Sequence, residues 1–380
     1  MKHHKYYTYI AAAMIFFLAA PLSGCERAQS PQSQAEETAN GPVAKKAEAY
    51  LQVHVDNHDF SGSVLMARDG KILFSKAYGF ANREWDVPNT PQTKFRLGSI
   101  TKQFTAMAIM QLQEKGLLSV SDPFSKYAPE FPNGDRFTIH HLLTHTSGVF
   151  SITSLPDFRK LMIEPLSMEE IFSKFQDRPL EFEPGSQFKY SNSGYIMLGH
   201  VIEVVTGESY AEYLRKNIFA PLGMADTGYD DFIEVIKNRA SGYSYSRIDG
   251  KFTNAPYIDM HIPHGAGALY STVEDLYTWD RALYTEKLVS TESLKTIFTP
   301  NLNGYGYGWG IVDNNGRKIH AHNGGIQGFV SHISRYPGEK AVLIILSNLV
   351  TSPLQDIGRN LRAILLGKSY EMPEIKDVKK

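Results

Sequence analysis

Apolar and polar positions change period four times along the chain. Val43, Ala47, Tyr50, Leu51 and His54 recur at helical spacing, which predicts an amphipathic helix over 43–55. Residues 60–67 and 71–78 then read as strands around Arg68-Asp69-Gly70. Asp-Gly between two such runs predicts a β-hairpin, whose tight turn needs positive φ. From Thr101 to about Pro300 the helical period dominates. Helices are expected over 101–115, 138–145, 168–175, 194–206 and 208–218, and from Ser271 to Leu283, where Thr272-Val273-Glu274-Asp275 approaches a capping box. Residues 229–263 are polar, aromatic and without a clear period. After Asn301-Leu302-Asn303-Gly304 strand character returns over 307–312, 318–322, 329–336 and 341–346. Turns at Asn314-Asn315-Gly316 and Pro337-Gly338 make this an antiparallel meander, and 353–366 a closing amphipathic helix.

Strands from both chain ends thus flank a helical middle. The simplest assembly is an α+β fold: one antiparallel sheet built from both ends and flanked by helices, with a mostly helical inserted subdomain over about 99–300. A cleft between the two parts is the expected place for a site. This domain is expected over 43–370, with a polar tail at 371–380.

The first residues have a different character. Lys2, His3, His4 and Lys5 precede an apolar run, Ile10 to Leu22, of signal-peptide length and short for a membrane span. It closes on Leu22-Ser23-Gly24-Cys25, which resembles a bacterial lipobox. Cys25 is the only cysteine among 380 residues, so no internal disulfide can form. The reading is a lipoprotein signal over 1–24, with Cys25 acylated and the protein held at a membrane of the bacterial cell envelope. Residues 25–42, rich in Gln, Ser, Ala, Glu and Pro, read as a tether. With a formal net charge of −1, nucleic acid is not the expected partner.

Candidate chemistry starts at Ser99-Ile100-Thr101-Lys102, where a helical run begins. Positions i and i+3 share a helix face about 4.5 Å apart along the axis. An amine there can reach the hydroxyl and take its proton, which serine needs to become a nucleophile. Unpaired N–H groups of the first turn include that of Ser99, which could hold a developing oxyanion. An N-capping serine beside a surface lysine would look the same. A second match, Ser186-Gln187-Phe188-Lys189, follows the turn Glu183-Pro184-Gly185 and is the weaker one.

Two further clusters change the picture: Tyr190-Ser191-Asn192 ahead of a helix, and His322-Asn323-Gly324-Gly325 at a strand. Together with Ser99-x-x-Lys102, in that order, they resemble the β-lactamase-related serine hydrolases, which include penicillin-binding proteins, class C β-lactamases, D-aminopeptidases and esterases. Further stretches are similar: His141-Leu142-Leu143-Thr144-His145-Thr146-Ser147-Gly148, Gly265-Ala266-Gly267-Ala268-Leu269-Tyr270-Ser271-Thr272 and Gly324-Gly325-Ile326-Gln327-Gly328-Phe329. The resemblance implies that Ser99 is acylated and that Lys102, partly deprotonated by burial and nearby positive groups, takes its proton. It implies that Tyr190 relays protons, helped as a base by the Lys102 charge, and that Asn192 bonds the substrate amide or Lys102. His322 and Gly324 would bind substrate, and the Ser99 and Gly325 N–H groups would form the oxyanion hole. No cofactor is implied.

The expected activity is hydrolysis of an amide or ester through an acyl-enzyme, by a monomer. Substrates would be a peptidoglycan-type or D-amino-acid peptide, a β-lactam or a small ester. The alternative is a penicillin-binding sensor or binder that is acylated without efficient turnover; a scaffold that only kept the fold is a third. Many penicillin-recognising members carry lysine where this chain has His322. Histidine is mostly neutral near pH 7, so carboxylate recognition should be weaker here. His140, His141 and His145 lack the spacing for three metal ligands on one helix face. His261 and His264 read as loop histidines, Glu274 and Asp275 as helix-capping residues, and Tyr305, Tyr307 and Trp309 as packing.

Overall fold

The computed structural model describes residues 41–376 except Phe232 and Asn315. The leader and Cys25 lie outside the described residues, as do residues 377–380 of the tail. Helix α1 (Pro42–Asp56) starts on proline, where a helix has no use for an N–H. It leads into a hairpin of β1 (Gly62–Arg68) and β2 (Lys71–Tyr78). Asp69 and Gly70 have φ of 51° and 76°, as a primed two-residue turn requires. The helical middle includes α2 (Thr101–Glu114), α3 (Asn192–Thr206) and α4 (Val273–Ala282). The last stretch is β3 (Gly310–Asn314), β4 (Arg317–Ile326), β5 (Phe329–Tyr336), β6 (Ala341–Ser347) and α5 (Leu354–Leu365).

These strands form one six-stranded sheet in the order β3-β4-β5-β6-β1-β2. Every pairing is antiparallel, and β1 from the start of the domain lies beside β6 from its end. Strand alternation gives the sheet two buried faces. Val64, Met66, Phe74, Leu343 and Ile345 pack with Tyr50, Leu51, Ile357 and Leu361 of α1 and α5. Leu65, Ala67, Ile333, Ile344 and Leu346 face the helical part, joining Phe104, Met107 and Trp279 in the larger core. A buried ion pair, Arg335 Nε to Asp280 Oδ1 at 2.8 Å, ties β5 to α4 across this layer. Among the described residues no helix is long and apolar enough to cross a membrane.

The structure departs from the sequence reading at four places. Gly308, with φ 74°, turns the chain, so β3 starts at Gly310 rather than at 307. Strand β4 runs on through the Asn323-Gly324-Gly325 run to Ile326. Gly207 ends α3 in a left-handed conformation as expected, but the next helix starts at Tyr210 rather than 208, capped by Ser209, and after Leu214 widens into a π-turn. Helix α4 starts at Val273 rather than at Ser271; Thr272 of the expected capping stretch accepts from the Asp275 N–H at 3.1 Å, and the Ser271 hydroxyl is bonded to Thr227. The stretch without a period supplies Gly228–Tyr229 to a three-stranded sheet with Phe95–Arg96 and Leu269–Ser271, and a hairpin of Tyr243–Ser246 and Lys251–Asn254.

Candidate active site

Ser99 is the middle residue of a single 3-10 turn, Gly98–Ile100, that runs directly into α2. Lys102 is therefore one turn on, facing the same way. Its side chain is wholly buried, with Nζ 3.1 Å from Ser99 Oγ, 2.9 Å from Asn192 Oδ1 and 2.8 Å from the carbonyl oxygen of Ala266. Burial holds the lysine well below its ordinary pKa. The positive neighbours expected from the sequence are not the cause; desolvation is. Ser99 itself is half-buried and lines a cavity of about 360 Å³.

Tyr190 and Asn192 come in on the segment entering α3. Three bonds hold this entrance: the Ser191 N–H donates to His145 Nδ1 at 3.2 Å, the Asn192 N–H to Ser151 Oγ at 3.0 Å, and Asn192 Nδ2 to Thr153 Oγ1 at 3.0 Å. The imidazole of His145 lies under the Tyr190 ring, with centroids 4.1 Å apart. Lys102 Nζ stands 4.9 Å from the centre of the Tyr190 ring and 5.5 Å from that of Tyr195. Burial pushes the Tyr190 phenol up from its usual range, and a hydrogen bond with Ser99 pulls it part of the way back. Burial thus favours the uncharged form of both the Lys102 amine and the Tyr190 phenol, which flank the Ser99 hydroxyl.

Strand β4 closes the third side. An added Cβ at Gly324 would lie 1.9 Å from the carbonyl oxygen of Leu97, and one at Gly98 would lie 2.8 Å from Gly325 N. Gly98 also has φ 52°. Two backbones thus touch here with no room for side chains. Ser331 Oγ, on β5, donates to the same Leu97 oxygen at 2.7 Å and clamps the contact. Through it Gly325 reaches the rim of the cavity that Ser99 also lines.

His322 is half-buried on β4. Its Nδ1 is 2.6 Å from the Asn323 carbonyl oxygen, which can only accept, so Nδ1 carries the hydrogen. Nε2 then accepts from Tyr305 Oη at 2.9 Å. Burial and Lys102 lower its pKa to about 4, so it is neutral at physiological pH.

Several residues have duties the sequence did not reveal. Ala266 acts through its backbone oxygen and has no side-chain signature. His145 carries its hydrogen on Nε2, because Nδ1 accepts from Ser191, and that buried N–H has no hydrogen-bond partner. Tyr305 belongs to the same aromatic layer, 4.7 Å from the His145 ring, and donates to His322 Nε2. The histidine cluster divides into separate tasks. His140 joins Tyr307 and Asn301, and His141 receives the Thr138 N–H in a capping box. His264 is 3.5 Å from Glu203 and His261 pairs with Asp259. Asp275 accepts from the Asp226 N–H and the Thr227 hydroxyl, and so ties down a loop. Ser186 is in a turn, its hydroxyl donating to Glu183 O, and Lys189 pairs with Glu181 at the surface.

Residues 47–368 match the beta-lactamase family, and the chain belongs to it. A penicillin-binding protein of Bacillus subtilis is 33% identical over 353 residues, covering 84% of this chain and 75% of its own. The teichoic acid D-alanine hydrolase of Staphylococcus aureus is 30% identical over 315 residues, covering 81% and 74%. Among solved structures, the octameric penicillin-binding protein homologue from Pyrococcus abyssi superposes with a TM-score of 0.76 at 33% identity, covering 86% of this chain and 78% of that one.

Proposed function

We propose that the chain is a serine hydrolase that cleaves an amide or ester through an acyl-enzyme on Ser99, with Lys102 as the base. The observation that carries this reading is the set of contacts around Lys102 Nζ. A neutral amine has two N–H bonds and one lone pair. Asn192 Oδ1 and the Ala266 oxygen can only accept, so they take both N–H bonds. The third contact, between Lys102 Nζ and Ser99 Oγ, can run either way: an ammonium donates to the hydroxyl oxygen, and the neutral amine that burial favours accepts the hydroxyl proton.

In the proposed reaction, Ser99 Oγ adds to the substrate carbonyl carbon and its proton passes to Lys102 Nζ. The carbonyl oxygen takes the negative charge beside the Ser99 and Gly325 N–H groups. The bond to the leaving oxygen or nitrogen then breaks, and that atom leaves with a proton relayed through Tyr190. Water adds to the acyl ester, gives its proton back through the same groups, and releases the acid and Ser99. Asn192 holds Lys102 and borders the acyl side; His322 and Gly324 shape the leaving-group side of β4. The names of the two relatives, one for penicillin binding and one for D-alanine hydrolysis, support acyl transfer of this kind. Export and acylation at Cys25 rest on the lipobox-like stretch.

A fluorophosphonate probe and a labelled penicillin are expected to modify wild type at Ser99 and not Ser99→Ala, with a chromogenic ester turned over. Labelling without turnover would favour the sensor reading, and no labelling by either probe would remove both.

The neutral His322 has its own consequence. A substrate carboxylate next to it meets no positive charge. His322→Lys is expected to raise the acylation rate by a carboxylate-bearing β-lactam about tenfold or more, the size of a charge-assisted hydrogen bond. A stopped-flow rate unchanged by the substitution would refute this account of His322.

A further inference from the structure

The cavity beside Ser99 is lined on one side by Ser99, Asn192 and Gly325, and elsewhere mostly by aliphatic and aromatic carbon: Ile152, Phe158, Ile196, Ile258, Ile262 and Ile326. Ile152, Ile196, Ile258 and Ile262 are almost fully buried, so they present a fixed wall. Among the described residues no Lys, Arg, His, Asp or Glu lines it. Arg159 and Lys160 follow Phe158 in sequence, are exposed, and are not part of the lining. Its polar side chains are largely engaged with one another or with neighbours. Asn192 Oδ1 accepts from Lys102, Asn192 Nδ2 bonds Thr153, and Gln327 Nε2 lies 3.0 Å from Met162 Sδ.

The cavity also has a direction. Tyr190, His322 and Tyr305 do not line it. The leaving group must be next to Tyr190 to collect its proton, so it departs on the side away from the cavity. The carbonyl oxygen goes toward Gly325. That leaves the cavity for the third substituent on the carbonyl carbon, the acyl chain.

We propose that this cavity is an acyl-side specificity pocket for an uncharged, apolar acyl group, branched or aromatic, and that it discriminates against acyl groups carrying a carboxylate or an ammonium. The proposal rests on the serine-hydrolase reading. Its physical basis is twofold. Each buried methylene contributes a roughly constant transfer term, which corresponds to about a fourfold rate gain per CH₂. A charged acyl group would lose its hydration with no partner to replace it.

The test holds the leaving group fixed. p-Nitrophenyl acetate, butanoate, hexanoate and phenylacetate are compared with the mono-p-nitrophenyl ester of glutaric acid and with D-alanine p-nitrophenyl ester. The expected result is a kcat/KM that rises about fourfold per methylene from acetate to hexanoate, with phenylacetate near the top and both charged esters at least tenfold below butanoate. Phe158→Lys, at a half-buried position of the wall, is expected to raise the glutarate ester relative to hexanoate by at least fivefold. A flat chain-length series, or a charged ester that outpaces hexanoate in wild type, overturns the pocket assignment and leaves the hydrolase reading intact. No turnover of any ester, with Ser99 unlabelled by fluorophosphonate, overturns the hydrolase reading instead. If Phe158→Lys folds poorly by circular dichroism, the wild-type series alone decides.

Discussion

Lys102→Met is expected to lower kcat/KM for a chromogenic ester by a factor on the order of 10³ or more, while the protein keeps its circular dichroism spectrum. Methionine fills nearly the same volume, so α2 and its packing stay. What disappears is the only group placed to accept the Ser99 proton. Asn192 Oδ1 and the Ala266 oxygen each lose a donor, which costs about 1–3 kcal/mol per unsatisfied group. Removal of a buried amine from an apolar site offsets part of that loss. The activity loss therefore far exceeds any loss in stability. Ser99→Ala should fall as far, and the double variant should be little worse than either single one, because the two act as a unit. Additive losses in the double variant would mean that Lys102 acts elsewhere, for example only as a structural plug in the core.

The sheet was legible because its signals are local. Asp69-Gly70 and Pro337-Gly338 mark two of its turns, and 329–336 was bounded to the residue. β6 and β1, from opposite ends of the chain, are apolar on both faces, which suits adjacent central positions in one sheet. The error in β4 is instructive. Asn323-Gly324-Gly325 reads as a breaker, since glycine weakens a strand that must pack side chains. Here the strand instead needs bare backbone, because the Leu97 carbonyl occupies the space a Cβ would fill at Gly324. Only the three-dimensional neighbour explains the glycine, and no local rule contains it.

The candidate site was legible to a similar depth. Ser99 and Lys102 are a helix turn apart, so local geometry was enough to pair them. Tyr190, Asn192 and Gly325 were placed by resemblance, and the structure brings them around the same hydroxyl and amine. The second-layer partners were out of reach for separate reasons. Ala266 works through a carbonyl, which every residue has. His145 looked like one of three histidines in a row, and its position under Tyr190 depends on a left-handed backbone at φ 57° that swings it off the helix end. Burial was expected to act on Lys102, but its weight on Lys102 and Tyr190 could not be judged from an isolated motif.

The same burial makes the fold acid-sensitive, and the effect is expected to be large. His54, His322 and His332 have pKa values lowered to about 4 and His320 to about 3, all chiefly by desolvation. His145 is held well below its normal value for the same reason. Several charged groups around them push the same way: Lys376 and Arg247 beside His54, Arg335 and Lys318 beside His320, and Arg362 beside His332. Asp356 opposes them at His54, where Asp59 Oδ2 also lies 3.8 Å from Nδ1. In the unfolded chain these histidines titrate near 6.5. Between that value and about 4 the unfolded state binds more protons, so stability falls as pH falls through this window and is fully present above it. Each fully differential proton changes stability by about 1.4 kcal/mol per pH unit. His322 and His332 are half-exposed and count for less than the buried His54, His145 and His320. The sum still predicts a Tm lower by about 10 °C or more at pH 4.5 than at pH 6.5. His320 stacks on Phe298 at 4.2 Å, and its buried Nδ1 has no hydrogen-bond partner, so protonation there has nothing to stabilise it. His320→Gln removes one titrating group and should flatten the slope measurably at unchanged activity. Thermal melts at pH 7.5, 6.5, 5.5 and 4.5 would decide the matter, and a Tm constant across that series would mean that these imidazoles reach solvent or an acceptor when they take up a proton.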